Sequence, residues 1–198
     1  MYRSALAIRS FEGGDIDDTD GNSVHVGDSL VSGYLLFFIF SEYWLGLDEM
    51  NEYTKSGNWK LKVEIKYDEL AIPGYQSPLA GTWGIGEWEN FAVASEADKY
   101  RLTIGSRIRN DNITIRSYTT YDPFATNHNG AYFSTEEDGR DNDKDPANCA
   151  RERKGSWWFS ACKSEANHCL NCRGRAIWYD PSNWQVPSRS RMWMMRTR

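Results

Sequence analysis

Between Thr119 and Gln185 this chain carries no hydrophobic periodicity, and all four of its cysteines (Cys149, Cys162, Cys169 and Cys172) fall inside that stretch. Compact domains rarely hold so long a segment without regular structure, so something other than a sheet must fix it. An even, clustered cysteine set fits either disulfides in an oxidising compartment or a metal site. Zinc wants four ligands, and only Cys169-x-x-Cys172, with His168 beside it, has a usual ligand spacing. A bridge between Cys149 and Cys162 would close a short loop and stabilise it by about 3 kcal/mol in the chain-entropy model. Inside that loop lies Gly155-Ser-Trp157-Trp158, whose paired indoles would pack where regular structure is missing.

A second device stands beside the first. Asp141-Asn-Asp143-Lys-Asp145-Pro-Ala-Asn148 alternates carboxylates through a turn-forming stretch. Such a stretch can converge on a hard cation wanting six to eight oxygens, and calcium is the expected one. Glu152 falls at the twelfth position of an EF-hand count begun at Asp141. The sixth position of that loop needs glycine for its sharp turn, and here it is Pro146, with φ fixed near −65°. No amphipathic helices flank it either. The reading is therefore a calcium loop of another type, against the plainer one of a solvated acidic turn.

The rest of the chain is patterned enough to place elements. Asp48–Lys55 reads as a short helix with Asp48 as N-cap and Gly57 as its stop. Trp59–Ile65 alternates apolar and polar residues with period two, a half-buried strand. Trp88–Val93 and Tyr100–Ile104 read as further strands joined by a turn around Ser95–Lys99, and Ser190–Arg196 as a closing strand. Residues 1–33 are polar and weakly patterned. The class is α+β: a central antiparallel sheet with short helices, then a loop-rich lobe. Nine Trp, eleven Tyr and sixteen Gly suit a fold in which aromatics do much of the packing. The net charge of −5 argues against a nucleic-acid partner. Tyr34–Phe40 is seven apolar residues, far short of the roughly 20 that span a bilayer, and reads as a buried strand. No signal peptide is visible in residues 1–10.

Five motifs then fall in order. Glu42-Tyr-Trp-Leu-Gly-Leu-Asp48 is similar to the EFWLGLD segment of fibrinogen C-terminal domains, the family of fibrinogen chains, ficolins and tachylectins. Ser95–Gly105 resembles their SEADNYRLTLG, and His128–Thr135 their HNGMKFST. The DND…NCA run from Asp141 to Ala150 and Gly155-x-Trp-Trp158 follow in family order. Ile8-Arg9 and Gly14–Asp17 faintly resemble the family's QRR…GSVDF. The resemblance implies a calcium site in which Asp141 and Asp143 bind through side chains and Asp145 and Ala147 through carbonyls. It implies that Cys149–Cys162 is the family's second disulfide. It also puts Arg153, Lys163 and Trp184 at ligand-pocket positions.

Departures from the pattern carry expectations of their own. No cysteine precedes Cys149, so the family's first disulfide has no counterpart. The W-x-x-Y-x-x-GFG stretch is scrambled across Gly21–Gly33, and Tyr34–Phe40 looks inserted. Lys163 stands where acetyl-binding members carry His, and Arg153 where some carry Tyr. Two cations at an acetyl pocket meet no charge in a neutral sugar, whereas an anionic group pairs with both. Cys169 and Cys172 lie outside the family pattern and form a local bridge or stay free.

The expected division is one domain over 1–198. Within it, 1–41 is divergent, 42–135 the sheet subdomain, 136–189 the calcium and ligand lobe, and 190–198 the closing strand. The expected role is an extracellular, non-enzymatic module binding acetylated or anionic glycans or glycoproteins with calcium support. The alternative is an adhesion module binding a protein or peptide. Asn112-Ile-Thr114 is a glycosylation sequon for a secreted chain. A homo-oligomer built through an upstream segment is compatible with the resemblance. One enzymatic reading competes. Gly27-Asp-Ser-Leu30 spells the nucleophile block of GDSL esterases, in which Ser29 would attack an acyl carbon. That site needs a histidine base announced by Asp-x-x-His, and the late histidine here sits in Glu165-Ala-Asn-His168.

Overall fold

The computed structural model describes residues 5–8, 43–67, 81–113, 122–137, 148–160, 168–172, 175–180, 183–185 and 187–197. A short strand β1 (Ala5–Ile8) pairs antiparallel with β2 (Tyr43–Gly46), which feeds helix α1 (Leu47–Thr54). Neither strand was expected. The motif read as a helix lead-in is extended up to Gly46.

Asp48 is not the N-cap. Gly46 occupies that position with no side-chain cap. The Asp48 carboxylate instead accepts the Tyr100 hydroxyl at 2.8 Å, so the side chain that looked like a local cap makes a tertiary bond. Asp48 and Glu49 still favour the helix start, because carboxylates in the first turn meet the positive end of the dipole. The helix buries Leu47 and Met50, and Thr54 both donates to the Met50 carbonyl and accepts the Val93 N–H. Gly57, at φ 79°, turns the chain into the sheet as expected of a stop.

Strand β3 (Asn58–Tyr67) keeps the sequence alternation residue by residue. Trp59, Leu61, Val63, Ile65 and Tyr67 face inward, and Lys60, Lys62, Glu64 and Lys66 face outward. It pairs with β4 (Trp83–Trp88) on one side and with the C-terminal strand β11 (Pro187–Thr197) on the other. The β3–β11 ladder runs from Thr197 opposite Asn58 to Pro187 opposite Tyr67 and is irregular between Pro187 and Arg189. Pro187, Ser190, Met192 and Met194 are buried along β11. Strand β7 (Arg107–Asp111) completes the antiparallel order β11-β3-β4-β7. At Gly84 a Cβ would lie 2.8 Å from the Asn112 carbonyl oxygen, so only glycine lets the β7 end cross this closely.

The expected strand Trp88–Val93 is two elements. Trp88 ends β4, Asn90 turns through φ 53°, and β5 (Ala92–Val93) leaves to pair with β6 (Leu102–Thr103). The turn between them is a single helical turn over Glu96–Asp98, closed by left-handed Lys99.

The region read as lacking regular structure does not lack it. It holds helix α2 (Pro123–His128), helix α3 (Cys149–Arg153), and strands β8 (Cys169–Cys172), β9 (Arg175–Asp180) and β10 (Asn183–Gln185). The three strands form an antiparallel sheet, order β10-β9-β8. These elements are too short for a periodic signal, and disulfide, cap and aromatic contacts hold them instead. An antiparallel sheet with a few short helices, the expected α+β class, is the architecture observed.

Candidate functional site

Helix α2 starts where Asp122 meets Pro123. The Asp122 carboxylate accepts the N–H groups of Phe124 and Ala125, and Pro123 sits in the first turn, where a missing N–H costs nothing. The same carboxylate accepts the buried indole N–H of Trp88, which locks α2 to the central sheet. Phe124 then becomes the centre of an aromatic cluster. Its ring lies 4.9 Å from Trp88, 5.3 Å from Trp178 in a stacked pair, and 5.5 Å from His168 edge-on.

His128 closes the helix and joins two segments. Its Nε2 accepts the His168 N–H at 3.1 Å, so that nitrogen is unprotonated. Its Nδ1 lies 2.7 Å from the Trp158 carbonyl and must carry the hydrogen to donate there. One neutral tautomer thus ties α2 to the Trp157-Trp158 segment and to β8. The next residues stitch the lobe to the sheet subdomain. Asn129 Oδ1 accepts the Ile104 N–H, Gly130 N–H donates to Leu102, and Leu102 N–H donates to Ala131. Ser134 and Trp157 exchange both backbone hydrogen bonds, and the Trp158 indole donates to the Tyr100 carbonyl. The paired indoles do pack as the sequence suggested, edge-on at 5.2 Å and both buried.

The acidic loop leaves and returns at this base. Asn148 caps α3 by accepting the Arg151 N–H, and its amide donates at 3.4 Å to the Glu136 carbonyl on the outgoing side. The ends of the carboxylate-bearing segment are therefore held together by one side chain. Asp141, Asp143, Asp145 and Ala147 lie outside the described residues, as do Cys162 and Lys163. Among the described residues no group of three or more His, Cys, Asp or Glu is placed to hold a metal. The chemistry of the segment fits calcium: three alternating carboxylates supply hard oxygen donors, and Asn148 joins the described residues that flank them.

Cys149, at the start of α3, is fully buried and disulfide-bonded. Arg153 ends the same helix, half-buried. Trp184 belongs to β10 opposite Tyr179 of β9. Asn112 is exposed and left-handed at φ 54°, a conformation asparagine tolerates better than most residues. Cys169 and Cys172 are bonded to each other, so of the two uses open to them they take the local bridge, and the zinc reading of this pair is set aside. Both are buried, and Cys172 also bridges Gly155 through the backbone, which docks β8 onto the end of the α3 turn.

Tyr100 faces Asp48 from the SEADKY segment. Burial first, and then the hydrogen bond to Asp48, push its phenol well above the usual tyrosine range. Sequence reasoning missed the Asp122–Trp88 lock and the His128–His168 link. The Asp122-Pro123 pair was a readable helix start; the histidine link had no local signal.

A four-stranded antiparallel sheet is joined here to a lobe held by an aromatic cluster and a disulfide. Residues 21–195 match the family described as fibrinogen beta and gamma chains, C-terminal globular domain, and the chain belongs to that family. It is 32% identical over 134 residues to tenascin-R of Mus musculus, a match covering 68% of this chain and 8% of that protein. It is 28% identical over 148 residues to ryncolin-4 of Cerberus rynchops, covering 73% and 36%. The chain therefore spans only a fraction of the length of these relatives. Among solved structures, the fibrinogen-like globe domain of human ANGPTL2 matches with TM-score 0.57 at 22% identity, over 82% of this chain and 69% of that one. The lamprey fibrin D-dimer, complexed with the peptide ligand Gly-His-Arg-Pro-amide, matches at 0.56 and 21%, over 83% and 53%.

Proposed function

We propose that this chain is an extracellular, non-enzymatic recognition module that binds an anionic or acetylated glycan with calcium support. The observation that supports the reading is the Asn148 side chain, which accepts the Arg151 N–H at the start of α3 and donates to the Glu136 carbonyl, joining the described residues on either side of the acidic segment. In this reading Asp141 and Asp143 hold calcium through their side chains, and Asp145 and Ala147 through carbonyls. Cys149 bonds Cys162, and Arg153, Lys163 and Trp184 face the ligand. Asn112 is the glycan attachment point. The whole chain acts as one domain, and a disulfide within β8 suits an oxidising compartment. Among the described residues no helix is long and apolar enough to cross a membrane.

Two cationic side chains at the pocket favour a carboxylated or sulfated sugar over a neutral one, because an anionic group makes charge-assisted hydrogen bonds that a neutral sugar cannot. Glycan-array binding of the protein in calcium and in chelator, beside Lys163→His and Arg153→Tyr variants, tests this. Calcium-dependent binding of anionic glycans that weakens in both variants supports it. Calcium-dependent capture of N-acetylglucosamine that neither variant changes contradicts it. A peptide ligand is the second reading, favoured by the peptide-bound lamprey relative; binding of short peptides and no glycan would select it.

A further inference from the structure

His128 and His168 meet inside the lobe, both fully buried, and neither belongs to the calcium or ligand positions proposed above. The His128 ring satisfies both of its bonds only when it is neutral. Nδ1 must carry a hydrogen to donate to the Trp158 carbonyl at 2.7 Å, and Nε2 must lack one to accept the His168 N–H at 3.1 Å. A second proton on the ring turns Nε2 into a donor aimed at a donor. The bond to His168 is then lost, and burial offers neither group water in exchange. The two bonds sit at a join. Helix α2 is locked to the central sheet through Asp122 and Trp88, and His128 at its far end holds the Trp157-Trp158 segment and the entry to β8.

The groups described around this ring come from each element packed on it. Phe124, on the same helix, lies 5.2 Å away, and Trp157, from the segment after α3, lies 6.4 Å away edge-on. From the β8 side comes the His168 ring at 5.5 Å, an imidazole that, once charged, repels a charged His128. Cys169 and Cys172 beyond it are bonded to each other and do not titrate. The Asp122 carboxylate stands at the other end of α2, where it accepts two helix N–H groups and the Trp88 indole, with Arg107 3.9 Å away. Opening the lobe frees His128 to take the proton that its closed position resists.

We propose that His128 is a proton-sensitive latch, whose protonation unfastens the Trp157-Trp158 segment and β8 from α2. A free histidine charges near pH of about 6.5, so the opening equilibrium should rise by up to about tenfold per pH unit below that point. Native-state hydrogen exchange, corrected for the intrinsic pH dependence of exchange, reads this at the Trp157 amide, which donates to Ser134, and at the His168 amide. Between about pH 7.5 and about pH 5 both should lose protection while the amides of β3 keep theirs. His128→Gln, which carries a donor and an acceptor but does not titrate, should flatten the profile, and His168→Gln, which leaves the backbone donor in place, should keep most of it. A profile already flat in the unaltered protein, one that survives in His128→Gln, or one that His168→Gln removes instead overturns the proposal. Should His128→Gln fail to fold, the imidazole nitrogen resonances of the unaltered protein decide. A neutral ring protonated at Nδ1, which gains its second proton only as protection is lost, supports the latch. A ring cationic at neutral pH, or one that charges while the amides stay protected, overturns it.

Discussion

Asp122 is the side chain whose loss should unfasten the lobe from the sheet. Asp122→Ala removes the cap of α2, which costs about 1 kcal/mol at typical N-caps. It also strands the Trp88 indole N–H, fully buried between Phe124 and Trp178, at about 1–3 kcal/mol for an unsatisfied donor. Arg107, its side chain 10% exposed and 3.9 Å from the carboxylate, also loses this counter-charge, which pushes the cost toward the upper end of the range. The expected total is about 2–4 kcal/mol, which in a domain of this size lowers Tm by roughly 4–16 °C. Asp122→Asn keeps one oxygen for the cap and turns an amide toward the indole or the reverse, so it should cost about half as much. Urea unfolding with an unchanged m-value measures both. A loss under about 0.5 kcal/mol for the alanine variant would refute the claim that this one carboxylate couples helix and sheet.

Other positions give further tests. Because the Tyr100 phenol titrates above its unfolded range, the folded chain keeps a proton that the unfolded chain gives up. The stability it contributes is therefore complete below pH of about 10 and lost as pH rises beyond it, by up to about 1.4 kcal/mol per pH unit. Tyr100→Phe should flatten that alkaline decline in urea titrations, and an unchanged slope would remove Tyr100 as its source. Replacing Cys169 and Cys172 by alanine should cost about 2 kcal/mol, the chain-entropy value for so short a loop, and an unchanged midpoint would show that the bridge does not hold β8. Gly84→Ala should destabilise by about 1–3 kcal/mol because its methyl would meet the Asn112 carbonyl and the Ile113 Cα. A neutral result there would mean that β7 yields.

Legibility followed the range of the interaction. Strand β3 was readable because one side of it faces the core and the other water, so Leu61, Val63 and Ile65 alternate with Lys60, Lys62 and Glu64 in the chain itself. The closing strand was readable for the same reason and extends three residues further back, to Pro187. Asp48 misled because a good cap residue was spent on Tyr100, 52 positions away, which no local pattern announces. The strands β8 to β10 were invisible because their order rests on a disulfide, on Trp178 donating to the Ile113 carbonyl and on the His128–His168 link. In the candidate site, ordered motifs pointed to the family and to the loop between Glu136 and Asn148. They could not show that the Asn148 side chain reaches back to the Glu136 carbonyl.

The central claim is that calcium held by this loop organises the lobe, and thermal unfolding in calcium against chelator tests it most directly. In the proposed function calcium binds a loop the unfolded chain cannot preform, so on that reading it should raise Tm in a concentration-dependent way. Asp141→Ala and Asp143→Ala should abolish the shift, and Asp138→Ala should leave most of it. A protein whose Tm, and whose protease resistance across residues 136–165, are the same in calcium and in chelator would contradict the account.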